Sequence, residues 1–269
     1  LLAQRAPVTV QLGSLAIDQV LDGVGRFAPT KTYRGTTPEQ WAAHRNLLDP
    51  DGLLPMAFGS FLIRSGDRRA LVDLGVGPRT FLGIEGGHLL ENLEHHGVRA
   101  EEITDVLFTH LHGDHTGWAT RDGEATFPDA TYRCSEADWQ HFMVDHPGNE
   151  ADRLRPIASR FEPWATDATI LPGLDVTAAP GHTPGSSLIV LSSGSDRAML
   201  LGDVIHCPAE LVDSEWGGIA DVDPGLAART RESLAREIEG TQTLVASAHF
   251  NGLQFGRLLL AEGRRRWVM

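Results

Sequence analysis

Cysteine is nearly absent from this chain. Cys134 and Cys207 are the only two in 269 residues, too few for a disulfide framework and without the paired spacing of a cysteine-rich zinc site. Stability must therefore rest on a packed core. Positive charge is in deficit as well: 23 basic residues face 36 acidic ones, a formal net charge of −13. No nucleic-acid partner is expected, because phosphate backbones are bound by clustered Lys and Arg. The one compact basic cluster, Arg264 to Arg266, reads as a solvated chain end. No apolar run approaches the roughly 20 residues needed to cross a bilayer, so no membrane segment is expected. The sequence opens Leu1-Leu2-Ala3-Gln4-Arg5 without a Met. A cytoplasmic location is the expectation, with export left open because the native start is missing and no complete signal peptide is visible. Pro/Ser-rich linkers, sustained charge runs and internal repeats are lacking too, so residues 1–269 read as a single domain.

What is present is the composition of a globular protein, 41% hydrophobic and 22% charged. Strands are expected at Val8 to Leu12, Leu15 to Leu21, Phe58 to Ile63 and Arg69 to Asp73, from alternating or continuous apolar runs. An amphipathic helix is expected over His88 to His96 with Gly97 at its end. Asp105 to Thr109 reads as a buried strand, Ala130 to Arg133 as another, and Ser135 caps a helix through about Val144 with Asp138 in its first turn. Further strands fall at Thr169 to Leu171, Asp175 to Ala178, Ser187 to Leu191, Ala198 to Leu201 and Thr243 to Ser247. A helix over Pro224 to Ile238 has Pro near its start and Gly240 past its end. Strands in runs with helices outside them suggest an α/β sandwich of two sheets. Three stretches lack regular pattern: Arg26 to Pro55, Pro147 to Trp164 and Cys207 to Asp223. Their aromatics, including Phe27, Trp41, Trp164 and Trp216, make them candidate walls of a substrate pocket.

The chemistry concentrates in Thr109-His110-Leu111-His112-Gly113-Asp114-His115-Thr116-Gly117, directly after an apolar strand. Imidazole and carboxylate are zinc donors, and a catalytic zinc keeps a position open for water. His110 and His112 can point the same way from an extended backbone, leaving Asp114 and His115 for an adjacent ion. Gly113 and Gly117 allow the tight path such convergence needs. Random placement of the histidines would produce this pattern in roughly one such chain per thousand, so a chance cluster is a poor explanation. Three more candidates follow in order: His182 in Pro180-Gly181-His182-Thr183-Pro184-Gly185, Asp203 at the end of Met199-Leu200-Leu201-Gly202-Asp203, and His249 in Ser247-Ala248-His249-Phe250.

From about Leu12 to Phe250 these segments resemble the metallo-β-lactamase superfamily, whose members carry His-x-His-x-Asp-His, then a Gly-His loop, a Gly-Asp strand end and a final His. The resemblance implies an αβ/βα four-layer sandwich of the metallo-β-lactamase fold with a site at one edge of the two sheets. It implies two Zn2+ per chain, with other divalent metals open: His110, His112 and His182 on one, Asp114, His115 and His249 on the other, and Asp203 bridging. Asp73, in Val72-Asp73-Leu74-Gly75, matches an early Asp that supports the metal loop by hydrogen bonding. Asp203 and the full set of histidines look more like the branch of lactonases and organophosphate hydrolases than the zinc β-lactamases, which lack the bridging Asp. One position departs from the pattern. Acyl-homoserine lactonases commonly carry Tyr three residues after the bridging Asp, where this chain has His206.

The expected activity is hydrolysis of a small-molecule lactone or other carboxylic ester by a metal-bridging hydroxide, with Asp114 as the nearest carboxylate for proton transfer and His206 as a candidate donor to the leaving group. The alternatives are a phosphotriester or β-lactam substrate, or iron-dependent sulfur or oxygen redox chemistry. The family's diiron reductases usually carry Glu where His112 stands, which weighs against the last. A homodimer is compatible with the sequence, which does not define the assembly.

Overall fold

A computed structural model describes residues 9–81 and 83–269. Val8, where the first strand was expected to start, lies outside the described residues; strand β1 is Thr9–Leu12. It forms a hairpin with the long β2, Leu15–Phe27. β2 pairs along its length with β3, Leu54–Ser65, with a register shift between Leu21 and Gly23. β4 (Arg68–Val72) and β5 (Asp105–Leu107) continue the sheet, and β6 (Thr131–Arg133) ends it. The β4/β5 and β5/β6 pairings are parallel. On the far side of β2 lie the two short strands Ile84–Glu85 and Thr80–Phe81. The second sheet runs in chain order through β7 (Ala168–Leu171), β8 (Leu174–Ala178), β9 (Ser187–Ser193), β10 (Asp196–Leu200) and β11 (Leu244–Ala246). Only its last pairing is parallel.

Side-chain alternation explains the layering. On β3, Phe61 and Ile63 enter the core between the sheets, whereas Leu62 joins the core on the opposite face. On β9, Ile189 and Leu191 point between the sheets, and Leu188 and Val190 point outward. Strands buried on both faces read as continuous apolar runs, which is why these segments are legible without a polar face. Helix α1, Leu89–His95, covers the outer face of the first sheet through Leu89 and Leu93, which pack with Leu62, Leu71 and Val106. Helix α3, Pro224–Ile238, covers the second through Leu234, Ala235 and Ile238 against Leu188, Val190, Met199 and Val245. Asp223 caps α3, its carboxylate accepting from Leu226 N at 2.9 Å. The result is helix, sheet, sheet, helix, the expected four layers.

Several boundaries differ from expectation. β2 and β3 each extend two residues into the stretch read as loop from Arg26 to Pro55. Helix α2, Glu136–Trp139, continues as a π-helical segment, Gln140–Asp145, which carries Phe142 to within 5.3 Å of the His112 ring. The irregular stretches contain short helices of their own, Pro38–Ala42, Asn149–Leu154 and Ala209–Val212. The Arg264 to Arg266 cluster lies in β13 (Arg264–Val268), which forms a hairpin with β12 (Arg257–Ala261). There Arg265 binds Glu232 and Glu239 at 2.7 and 2.6 Å, so of the expected solvated end only Arg264 and Arg266 are exposed. Among the described residues no helix is long and apolar enough to cross a membrane.

Candidate metal centre

The parallel pairing of β4 and β5 places Asp73, the residue after β4, beside Thr109, just past the end of β5. Asp73 adopts φ 60°, a left-handed conformation that Asp tolerates better than most residues. In that position its carboxylate accepts from Thr109 N and Thr109 Oγ1, both at 2.8 Å, and from His115 Nδ1 at 2.9 Å. The loop between Thr109 and Gly117 is thereby tied down at both ends. Gly117 is required by close approach: a Cβ there would meet Val76 C at 2.0 Å. Gly113 has no such backbone constraint, since the nearest atoms to a Cβ there are the ends of the Glu150, Arg79 and Arg153 side chains.

The expected ligands converge as two groups, His110, His112, His182 and Asp203 in one and Asp114, His115 and His249 in the other, with candidate ligand atoms in each group within 4.8 Å of one another. Asp203 lies between them. Its Oδ2 is 3.7 Å from His110 Nε2 and 3.4 Å from His182 Nε2, while its Oδ1 is 3.2 Å from His115 Nε2 and 3.1 Å from His249 Nε2. Asp114 Oδ2 is 3.6 Å from His249 Nε2.

The outer ring nitrogens show which way each imidazole presents its lone pair. His115 Nδ1 faces Asp73, His182 Nδ1 faces Asp221 Oδ1 at 3.1 Å, and His249 Nδ1 faces the Ala57 carbonyl at 2.9 Å. These partners only accept, so Nδ1 carries the proton and the Nε2 lone pair points inward. Thr109 Oγ1 already donates to Asp73 and so accepts from His110 Nδ1 at 3.2 Å. Two inward lone pairs then meet one ring nitrogen: His112 Nδ1 is 3.0 Å from both His110 Nε2 and His182 Nε2. A single proton on His112 Nδ1 can satisfy only one of them, whereas a shared cation serves all three nitrogens, and the buried Asp203 Oδ1 has no hydrogen-bond partner. The donor set therefore fits divalent metal, and the carbonyl and carboxylates behind the imidazoles are what orients metal-binding histidines.

The electrostatics agree. Burial pushes His110 well below the usual histidine range, and burial with the neighbouring His182 lowers His112 to about 4, so both favour the neutral, lone-pair form. Burial would also lower His115, but the Asp203, Asp73 and Asp114 carboxylates outweigh it and raise it well above the ordinary value. Burial would raise Asp203, yet His249, His115 and His206 hold it well below the carboxylate range.

His206 is brought to the same place. It is buried, its Nε2 is 3.4 Å from Asp203 Oδ2, and its Nδ1 is 3.4 Å from Glu210 Oε2. Burial acts to lower it, but Asp203 and Glu210 outweigh that and raise it well above 6.5. The aromatics expected as pocket walls behave differently. Trp41 and Trp216 are buried against each other at 4.9 Å, with Tyr33 and Phe58, and this plug touches the site where Phe58 packs 4.7 Å from the His249 ring. Phe27 packs against the plug, while Trp164 belongs to the core between the sheets.

Four buried acids of the support were not identified as such from sequence. Asp22 accepts from Val76 N, Gly77 N, Gly87 N, Leu89 N and Trp118 Nε1, joining the segment after Asp73 to the start of α1. Asp138 accepts from Leu111 N, Gly185 N and Thr183 Oγ1, so it ties the first metal loop to the loop of His182, and burial raises it to about 6. Asp221 and Glu210 stand behind His182 and His206. For Asp138 an acidic residue in a helical first turn was the available signal, but that pattern has an ordinary helix-dipole explanation.

Fold and site together define a hydrolase with a metal-binding centre. Residues 60–249 match the family described as the metallo-beta-lactamase superfamily, and the chain belongs to it. No curated protein sequence matches the chain significantly. Among solved structures, the chain is similar to AidC, a dizinc quorum-quenching lactonase in complex with a product, N-hexanoyl-L-homoserine, with a TM-score of 0.87 at 22% identity over 98% of this chain and 97% of that one. It is similar to hydrolase AbOPH of the beta lactamase superfamily, TM-score 0.85 at 24% identity over 99% and 98%. An N-acyl homoserine lactone hydrolase with N-hexanoyl-L-homoserine bound at the catalytic metal center aligns with a TM-score of 0.66 at 17% identity over 90% and 94%. At such identities the likeness establishes the fold, which bears out the expected sandwich.

Proposed function

We propose that the chain is a dinuclear zinc hydrolase that opens a lactone or cleaves another small carboxylic ester. The observation that carries this reading is Asp203, whose carboxylate lies between the two groups, 3.1 to 3.7 Å from His110 and His182 of one and from His115 and His249 of the other. His110, His112 and His182 would hold one ion, Asp114, His115 and His249 the other, and Asp203 both. Paired ions in such a site would supply a bound water with a pKa lowered toward about 7 and would polarise the acceptor oxygen. The chain's own groups do the rest. Asp114 is the more exposed of the two carboxylates, at 16% against 5% for Asp203, so it is the one placed to accept a proton from the attacking water. His206, whose backbone N–H is held by Glu210 and whose Nδ1 lies 3.4 Å from the same carboxylate, directs Nε2 into the site and would protonate the departing alkoxide. Lactone opening needs both transfers, since the ring oxygen is a poor leaving group until protonated. The lactonases among the similar structures support the substrate class.

The test is a panel of lactones, aryl esters, phosphotriesters and β-lactams assayed with zinc-loaded protein, together with metal analysis of protein purified without added metal. Highest kcat/KM on lactones or alkyl esters supports the reading. Phosphotriester or β-lactam turnover without ester turnover replaces it, and bound iron with oxygen consumption rejects it.

A further inference from the structure

Helix α3 buries Ala227, Arg231, Leu234, Ala235 and Ile238. Arg231, 1% exposed, thus occupies the helix face otherwise filled by Ala, Leu and Ile. A guanidinium is taken out of water at high cost unless it is paired. Its partners are two acids whose side chains are fully buried: Nη1 lies 3.2 Å from Asp221 Oδ2 and 4.0 Å from Glu210 Oε1. Each acid passes the contact on to a histidine. Asp221 Oδ1 is 3.1 Å from His182 Nδ1. Glu210 Oε2 accepts from His206 N at 2.5 Å and Cys207 N at 3.1 Å, and lies 3.4 Å from His206 Nδ1. The inner nitrogens of both histidines then reach the same atom, Asp203 Oδ2, at 3.4 Å each.

We infer that Arg231 is a positioning residue for this centre: by holding Asp221 and Glu210 side by side it orients His182 and His206 toward one oxygen of Asp203. The inference rests on the reading of His182 and Asp203 as metal ligands. Without the guanidinium, two carboxylates would face each other in a buried space. Each would turn away or take up a proton: His182 would lose the acceptor that fixes its ring, and His206 the carboxylate that holds its backbone N–H and lies 3.4 Å from its Nδ1. Because one nitrogen, Nη1, approaches both acids, a point charge can do most of the work, and lysine should substitute here better than at a bidentate arginine site.

The experiment uses Co2+ as the probe and does not depend on substrate. Wild type, Arg231→Met, Arg231→Lys and Asp221→Asn are prepared metal-free, checked for cooperative unfolding, and titrated with Co2+ against a chromophoric chelator while the d–d absorption is recorded. Arg231→Met is expected to weaken Co2+ binding on the order of 10–100-fold and to shift the d–d bands. Arg231→Lys should recover most of the affinity and the wild-type bands, and Asp221→Asn should reproduce the loss. A folded Arg231→Met protein with wild-type affinity and spectrum overturns the inference. If Arg231→Met does not fold, Asp221→Asn and Arg231→Lys decide it: wild-type affinity and bands in folded Asp221→Asn overturn it, and loss there with retention in Arg231→Lys supports it. Failure of the wild-type chain to bind Co2+ would reject the metal centre itself, a result distinct from all of these.

Discussion

Replacing Asp73 separates its part in holding the loop from its part in tuning a ligand. In Asp73→Ala the buried Thr109 N–H loses its acceptor, which costs about 1–3 kcal/mol, and alanine is forced to φ 60° at about 1 kcal/mol more. A stability loss of about 2–4 kcal/mol is therefore expected in the metal-free protein, together with a fall in zinc affinity on the order of 10–100-fold as His115 loses its orienting partner. Asp73→Asn divides the two effects. Asparagine tolerates the left-handed backbone and can still accept from Thr109 N through its carbonyl oxygen, so most of the stability should survive. Its amide, however, presents N–H groups where Oδ2 accepted from Thr109 Oγ1 and His115 Nδ1. His115 would then accept at Nδ1 and carry its proton on Nε2, the nitrogen that faces Asp203. Denaturant unfolding of the metal-free proteins and zinc competition with a chromophoric chelator read the two quantities independently. Wild-type zinc affinity and kcat/KM in a stable Asp73→Asn protein would refute the orienting role.

Asp203→Ala removes the carboxylate facing both groups, so metal content should fall from two ions per chain and hydrolysis should nearly vanish; full occupancy by metal analysis with wild-type turnover would reject the bridge. His206→Ala should slow alkyl esters and lactones by roughly 10²–10⁴-fold but an activated aryl ester much less, because only the poor leaving group needs a proton. Equal losses on both substrates would point to positioning. At the C-terminal hairpin, the hydrogen bonds from Arg265 and Ser214 hold Glu232 at about 2, below its ordinary 4.5. A depressed carboxylate stabilises the fold above its unfolded pKa and loses that contribution as pH falls through the folded one. The Tm difference between wild type and Arg265→Ala should therefore be present at pH 6 and shrink as pH drops from about 4.5 toward 2; a difference independent of pH would show that Arg265 acts through packing alone.

The parts of the site that could be read from sequence are those the chain must supply contiguously. His110, His112, Asp114 and His115 share one loop, and a loop that folds around ions has to concentrate its donors, so the signal is dense. His182, Asp203 and His249 were legible because each follows the end of an apolar strand of the second sheet or of its edge. The supporting acids follow no such rule. Asp22 sits at the irregularity where β2 changes register between Leu21 and Gly23, and its five donors come from segments 54 to 96 residues away. Only the tertiary register brings them together. Asp138 looks like any acid in a helical first turn until the fold sets Leu111 and Gly185 against it. Arg231 looks like a solvated helix position, because nothing local says that Asp221 and Glu210 will arrive beneath it. The hairpin was hidden for a related reason: three consecutive arginines mask an alternation in which Arg265 and Trp267 turn inward while Arg264 and Arg266 stay outside.

Behind the histidines lies an excess of buried negative charge, and that excess has a consequence for how the centre is filled. Asp73, Asp203, Asp221 and Glu210 are all buried, and Arg231 contacts Asp221 and Glu210. In the metal-free chain the balance falls to imidazoles, which is why His115 and His206 are raised while His110 and His112 are lowered. The protons thus gather on His115 and His206 and leave His110 and His112 with free lone pairs. The two groups are not equivalent before loading. A cation can enter the first group without displacing a proton from His110 or His112, whereas entry into the second must displace the one His115 holds. If the centre takes two ions as proposed, filling should be ordered, with the second step weakening as pH falls; titration of metal-free protein with Zn2+ at several pH values checks this, and equal weakening of both steps would refute it.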